Sequence, residues 1–203
     1  MMTEYVVPCD TIARLSHIFD NFPIDVPASF KTFRIDGGQV VATDRSVMAI
    51  DNIGRNTGLF HMIPDPQLIE QCREEAKYQG VVTITVNEAL QFATAKTTFG
   101  FNAAGNVGYW LPVDPQYNRW REVVMLAKDR SKKSQGAMFW SADQIAKLSR
   151  SSPSGCVVFE ENINSERPTI MRDVTEYDWL GVFQPYSKEH HYQAATLPTW
   201  MVA

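Results

Sequence analysis

The sequence predicts an α+β protein built from a repeated unit of helix and antiparallel strands. Three observations carry this. Helix-periodic segments alternate with short β-branched and aromatic runs twice between residues 5 and 101, and the pattern starts a third time near Met138. Turn-forming residues, notably Asp36-Gly37-Gly38 and Asn87-Glu88, separate consecutive strand-like runs. With 203 residues, 44% hydrophobic and 21% charged, the chain has enough apolar material for a substantial core, which excludes a disordered tail or a staple-dependent mini-protein.

Tyr5 to Val7 opens the first unit as a short strand, and Asp10 is expected to N-cap a helix carrying Ile12, Leu15, Ile18, Phe19 and Phe22 on one face. Phe22-Pro23 should end it. Phe30 to Ile35, the Asp36-Gly37-Gly38 turn and Gln39 to Thr43 read as a hairpin, followed by a strand over Val47 to Ile50. The second unit begins with Leu59 to Ile63. Asp65-Pro66 then supplies an N-cap and a first-turn proline for a helix ending at Gly80, with Leu68, Ile69, Cys72 and Ala76 as its apolar stripe. Three strands are expected after it, over Val81 to Val86, Leu90 to Thr94 and Thr97 to Phe101. In the third unit, Ser141-Ala-Asp-Gln144 fits a capping box for a helix bearing Ile145 and Leu148, followed by strands Cys156 to Glu160, Pro168 to Arg172 and Trp179 to Phe183. Between the second and third units a basic helix is predicted from about Gln116 to Lys133, without three strands after it, so a fourth unit would be truncated. The units share pattern and not residue identity.

The formal charge of −4 argues against a nucleic-acid partner only if charge is evenly spread. It is not. From Arg119 to Arg150 there are eight Lys or Arg against three acids, a local balance of +5 that leaves −9 for the rest. The simpler alternative is a solvated helix and loop that are basic without a partner. Cys9, Cys72 and Cys156 have no C-x-x-C spacing and suggest neither a disulfide framework nor a zinc site; reduced, partly buried thiols are expected. The start of the chain lacks a signal-peptide pattern and no long apolar run occurs, so a cytoplasmic location is expected, with no membrane partner.

Four segments resemble the DNA sliding clamps of the bacterial DNA polymerase III β-subunit family. Gly38-Gln-Val-Val-Ala-Thr-Asp-Arg-Ser-Val-Met-Ala49 is similar to that family's L-x-L-V-A-T-D-G-x-R-L-A signature. Val113-Asp-Pro-Gln-Tyr-Asn-Arg-Trp-Arg-Glu-Val-Val124 resembles, with insertions, the Y-P-D-Y-R-R-V stretch that closes a clamp domain. Phe139-Trp-Ser-Ala-Asp-Gln-Ile-Ala-Lys-Leu148 resembles the last helix, and Arg167 to Tyr186 the C-terminal strands. The pieces are collinear over residues 5 to 186. The family's glycine and arginine are replaced by Arg45 and Val47, the closing segment is longer, and the second domain lacks about half its expected length.

The resemblance implies a DNA-clamp-like fold, with a first clamp-like domain over residues 1–115, a shortened second over 116–186 and a tail over 187–203. It also implies a non-enzymatic processivity factor for DNA replication that forms a homo-oligomer, such as a trimer of two-domain chains, around non-specific double-stranded DNA, without a cofactor. The shortened length fits a phage-encoded member. Phosphate contacts are expected from Arg119, Arg121, Lys128, Arg130, Lys132, Lys133, Lys147 and Arg150, with Arg73 and Lys77 on the second helix adding to them. A hydrophobic pocket for peptides of polymerase or clamp-loader proteins is carried over onto Thr43, Arg45, Ser46, Val47, Met48, Met125, Val182, Phe183, Gln184, Pro185 and Tyr186. Met48, Val182 and Phe183 read equally as strand core. In the tail, Leu197-Pro198-Thr199-Trp200-Met201 is an apolar cluster that suits either a docking peptide or a terminal clasp.

A second reading keeps the clamp fold without the ring, as a protein that binds or obstructs a host replication protein; a third is an unrelated α+β enzyme. Against the third, His17, His61, His190 and His191 show no H-E-x-x-H spacing, no metal site is expected, and neither a phosphate loop nor a G-x-S-x-G nucleophile pattern occurs.

Overall fold

The computed structural model describes residues 2–22, 24–27, 30–54, 58–63, 65–87, 92–100, 119–128, 141–160, 168–176 and 178–183. The elements are β1 (Met2–Pro8), α1 (Cys9–Leu15), β2 (Phe33–Asp36), β3 (Gln39–Thr43), β4 (Val47–Asn52), β5 (Leu59–Met62), α2 (Pro66–Glu75), β6 (Val81–Asn87), β7 (Phe92–Thr97), α3 (Trp120–Lys128), α4 (Ala142–Ser151), β8 (Val157–Phe159), β9 (Thr169–Asp173) and β10 (Trp179–Phe183). Short 3₁₀ turns, Ser16–Phe19 and Ala76–Tyr78, extend α1 and α2. The result is an α+β architecture.

Two antiparallel sheets form, ordered β1-β6-β7 and β5-β2-β3-β4-β10-β9-β8 among the described residues. The first strand of each N-terminal unit leaves its own unit: β1 pairs with β6, and β5 pairs with β2. This exchange ties the two units into one body, and Tyr5 of β1 stacks on Phe60 of β5 at 5.4 Å between ring centroids. The third unit joins through β10, which pairs with β4 from Trp179 opposite Asp51 to Phe183 opposite Val47.

Alternation along the strands assigns the faces. Phe33, Ile35, Val40, Ala42, Val47, Ala49, Met171, Trp179 and Phe183 point to one side of the large sheet, where they form the main core with Ile12, Leu15, Leu68 and Leu148 of α1, α2 and α4. Val41, Ile50, Met48 and Leu180 point to the other side, where a second cluster forms with Phe30 and with Trp120 and Val124 of α3. Thus α1 and α4 lie on one face of the large sheet, α2 packs beside α1 and against β6 of the small sheet, and α3 lies on the opposite face of the large sheet.

Local chemistry explains much of this. The β2–β3 loop is Gly37-Gly38, with φ of +57° and +89°, the left-handed pair that a two-residue hairpin requires. The Asp65 carboxylate caps α2 by accepting from the N–H groups of Gln67 at 2.7 Å and Leu68 at 3.3 Å, with Pro66 at the first helical position. Ser141 and Gln144 make the capping box of α4.

Two expectations are corrected. Pro8, not Asp10, precedes the first turn of α1, because β1 runs straight into the helix and the Cys9 N–H is taken by the Gly80 carbonyl at 2.8 Å; Asp10 lies inside the first turn, paired with Arg14. Two strands were expected over residues 90–101, but β7 is one strand from Phe92 to Thr97, in unbroken register with β6, and the chain turns at Thr98. The pairing overrides the local Ala95-Lys96 break. No helix among the described residues is long and apolar enough to cross a membrane.

Candidate functional site

The signature segment Val41-Ala-Thr-Asp44 turns out to build the joint between the first and third units. Asp44 sits in the β3–β4 turn, where its Oδ1 accepts from the N–H groups of Ser46 and Val47, each at 2.9 Å. Its Oδ2 accepts from Lys147 Nζ of α4 at 2.6 Å, with both side chains only 3% exposed. The Thr43 hydroxyl donates to the Val47 carbonyl at 2.7 Å and accepts from the Arg45 N–H at 3.1 Å. The turn therefore forces Arg45 to φ +75°, a conformation glycine adopts without penalty. That position is where this chain departs from the clamp signature's glycine.

Lys147 was expected to face phosphate, and the structure corrects this. Its ammonium is enclosed between Asp44 and, at 3.4 Å, Asp143. Burial of a lysine is tolerated here only because a carboxylate is placed within hydrogen-bond reach.

The remaining basic residues divide between the two faces. Arg119, Arg121 and Lys128 belong to α3 or its first turn and are exposed on the side away from α1, α2 and α4. Arg73, Lys77 and Arg150 are exposed on the helix side. Arg130, Lys132 and Lys133 lie outside the described residues. The described parts of the run, residues 119–128 and 141–150, thus lie on opposite faces of the large sheet.

On the helix side, solvent-reaching charges are Arg14, Arg73, Lys77 and Arg150 against Asp10, Asp20, Glu70, Glu74 and Asp143. Several are already engaged. Arg14 contacts Asp10 at 2.6 Å, Asp51 at 2.8 Å and the Ser151 carbonyl at 3.0 Å. Arg150 pairs with Asp20 at 3.2 Å, and Arg73 donates to the Ser16 hydroxyl at 3.1 Å. These contacts stitch α2, α1 and α4 side by side. Asp51 of β4 anchors the row from beneath, accepting also from the Thr11 hydroxyl at 2.6 Å.

The residues carried over for a peptide pocket come together in part. Met48 and Val182 are directly opposite on β4 and β10, on the α3 side of the sheet. Val47 and Phe183 are opposite each other one residue along, and so face the helix side, in the main core. Assigning them all to one groove is corrected: the strand period of two sends them to opposite faces. Thr43 is buried in its turn, Ser46 is half-buried, Arg45 is exposed with its guanidinium 5.9 Å over Phe30, and Met125 is 66% exposed on α3. Gln184, Pro185, Tyr186 and the tail lie outside the described residues.

Sequence reading missed Asp36. At the end of β2 its Oδ2 accepts from Arg34 Nη2 at 3.0 Å, Trp120 Nε1 at 3.1 Å and Arg121 Nη1 at 2.5 Å. Burial alone would raise its pKa, but the bonds from Arg121 and Trp120, with the charge of Arg34, outweigh burial and hold the carboxyl below its ordinary value of 3.8. Only its position before Gly37-Gly38 marks it in the sequence, and that indicates a turn rather than an anchor.

Among the described residues no group of three or more His, Cys, Asp or Glu could hold a metal ion. The buried Cys9 and Cys72 are neighbours, and their hydrogen bond followed by burial pushes the Cys72 thiol strongly up, which disfavours a thiolate.

No family model matches the chain. Nor does any curated protein match it. Solved structures do. A DNA polymerase sliding clamp from Pseudomonas aeruginosa is 11% identical, with a TM-score of 0.56 over 91% of this chain and 67% of that one. The β sliding clamp of C. crescentus is 12% identical, with a TM-score of 0.52 over 92% of this chain and 66% of that one. The DNA polymerase III β subunit of Thermotoga maritima is 8% identical, with a TM-score of 0.52 over 91% of this chain and 65% of that one. The chain therefore spans about two thirds of the length of the clamps it matches. At these identities the likeness concerns architecture alone, and it gives this α+β chain a DNA-sliding-clamp-like fold.

Proposed function

We propose that this chain is a clamp-type replication protein that holds a polymerase- or clamp-loader-class partner beside duplex DNA, as a homo-oligomer surrounding it. The observation that carries this reading is the large sheet running unbroken through the β4–β10 joint with α1 and α4 side by side on one face and α2 beside α1. Edge-to-edge pairing of this kind can be repeated between chains, and it keeps the helices toward the DNA and the other sheet face toward partners. The contact is topological, so it needs no enzymatic groups.

Light scattering combined with retention on DNA tests it. An oligomer that stays on nicked circular DNA but slips from linear DNA of equal length is the expected outcome. A monomer at micromolar concentration, retained equally by both, refutes encirclement.

One observation favours a second reading, a non-ring clamp-fold protein that binds or obstructs another replication protein. The solvent-reaching charges of the helix face include more acids than bases, and Arg14 and Arg150 are spent in ion pairs. Among the described residues of that face few free cations remain to release counterions, so its DNA affinity should depend only shallowly on salt. A monomer that captures a replication protein without DNA supports this alternative.

A further inference from the structure

α3 is a nine-residue helix with a divided character. Trp120 is 7% exposed and Val124 partly buried, one turn apart, and both pack on the sheet with Met48, Ile50 and Leu180. Met125 and Leu126 on its outer side are 66% and 52% exposed. Nine residues rise about 13 Å, and the side chains at its ends extend that reach toward the four strand spacings of about 4.8 Å that separate β2 from β9. From its N-terminal anchor at the end of β2, α3 packs as far as β9, and so lies across the β4–β10 joint.

The buried residues of the cluster under α3 are distinct from those of the main core, with Phe22 packed against both. Polar contacts hold its first turn. Trp120 and Arg121 both donate to Asp36, Arg121 reaches the Gln39 side chain at 3.3 Å, and the Arg121 guanidinium stacks over the Trp120 ring at 4.3 Å. Such an element is held by one ionic anchor and a small apolar footprint, which makes it exchangeable for another apolar segment of similar size.

We propose that α3 is an intramolecular occupant of the partner site, covering Met48 and Leu180 beside the β4–β10 joint, and that a short apolar peptide from a partner binds there only by displacing it. The inference rests on the partner-binding part of the function proposed above and adds a regulation to it. Apparent peptide affinity is then the intrinsic affinity reduced by the small fraction of molecules with α3 released. Mutations on α3, outside the groove itself, should strengthen binding.

The test uses the full chain and fluorescence polarisation with a labelled pentapeptide containing Leu and Phe. The double variant Trp120→Ala with Val124→Ser weakens the footprint of α3, and Arg121→Glu breaks the Asp36 anchor without opening a cavity, which keeps the test decisive should the first variant misfold. Each should bind the peptide about ten-fold more tightly than wild type, corresponding to a cover closed about nine-tenths of the time. An unlabelled peptide of residues 119–128 should compete. Equal affinity for wild type and variants overturns the cover and leaves the partner site standing. No binding to wild type or to folded variants overturns the partner site itself, and the cover with it. Binding of the 119–128 peptide alone would make the groove a seat for α3 only, and also overturns the proposal.

Discussion

Lys147→Met separates a structural lysine from a DNA-contacting one. In the folded chain the ammonium and the Asp44 carboxylate are each 3% exposed and lie 2.6 Å apart, so removing the lysine strands a buried negative charge. Breaking such a pair from one side costs about 3–5 kcal/mol, whereas deleting a solvated surface charge costs under about 0.5 kcal/mol. For a domain of this size each kcal/mol moves the melting temperature by about 2–4 °C, so the expected fall is about 10 °C. Urea unfolding followed by tryptophan fluorescence gives the free energy directly. A second variant, Asp44→Asn with Lys147→Met, sharpens the result: an asparagine oxygen still accepts from the Ser46 and Val47 N–H groups, and no charge is left buried. It should recover most of the loss. If Lys147→Met lowers stability by less than about 1 kcal/mol while weakening DNA retention, the lysine is a phosphate contact and the joint described here is misassigned.

Three other outcomes follow from the geometry. Arg45→Gly relieves a left-handed residue at φ +75° and should stabilise the chain by up to about 1 kcal/mol, read as a higher urea midpoint; a lower midpoint would mean that the contact over Phe30 outweighs the strain. Gly181→Ala places a Cβ 2.6 Å from Trp179 and 3.0 Å from Leu148, so it should cost about 1–3 kcal/mol by overpacking, and an unchanged melting temperature would argue against α4 seating on β10. For Asp173, burial raises the pKa but N–H and hydroxyl donors from Ser154 and Thr175 more than reverse it, holding the carboxyl well below 3.8. Because the unfolded state takes up the proton first, this stabilisation is present above pH of about 4 and is lost as pH falls through the lowered value. Unfolding free energy measured against pH should drop on acidification, less steeply in Asp173→Asn.

Where a single segment carried the whole signal, the sequence was legible. Asp65-Pro66 and Ser141 with Gln144 start helices through contacts within four residues, and Gly37-Gly38 closes a hairpin through its own backbone freedom. The β10 range, Trp179 to Phe183, follows from the residues alone. The candidate site was less legible because its contacts are long-range. Nothing near Lys147 announces Asp44, and a lysine on an amphipathic helix ordinarily belongs to solvent. Likewise residues 119–128 and 141–150 belong to one basic stretch in the sequence but lie on opposite faces of the large sheet. Val182 and Phe183 are adjacent in the segment that resembles the clamp C-terminal strands, yet a period of two sends them to different faces.

By itself, then, the sequence determined the α+β class, the repeated pattern of helix and antiparallel strands, the caps at Asp65 and Ser141 and the Gly37-Gly38 turn, since these depend on backbone propensity and on apolar periodicity along one segment. It also placed the clamp-like segment Gly38 to Ala49 across the β3–β4 turn. Only the tertiary structure decided that β1 and β5 change places, that β10 closes against β4, that Asp44 is matched to a buried Lys147 and that α3 crosses the face opposite the other helices. Each of those outcomes depends on which distant partners satisfy a strand edge, a buried charge or an apolar face, and local composition does not encode the choice.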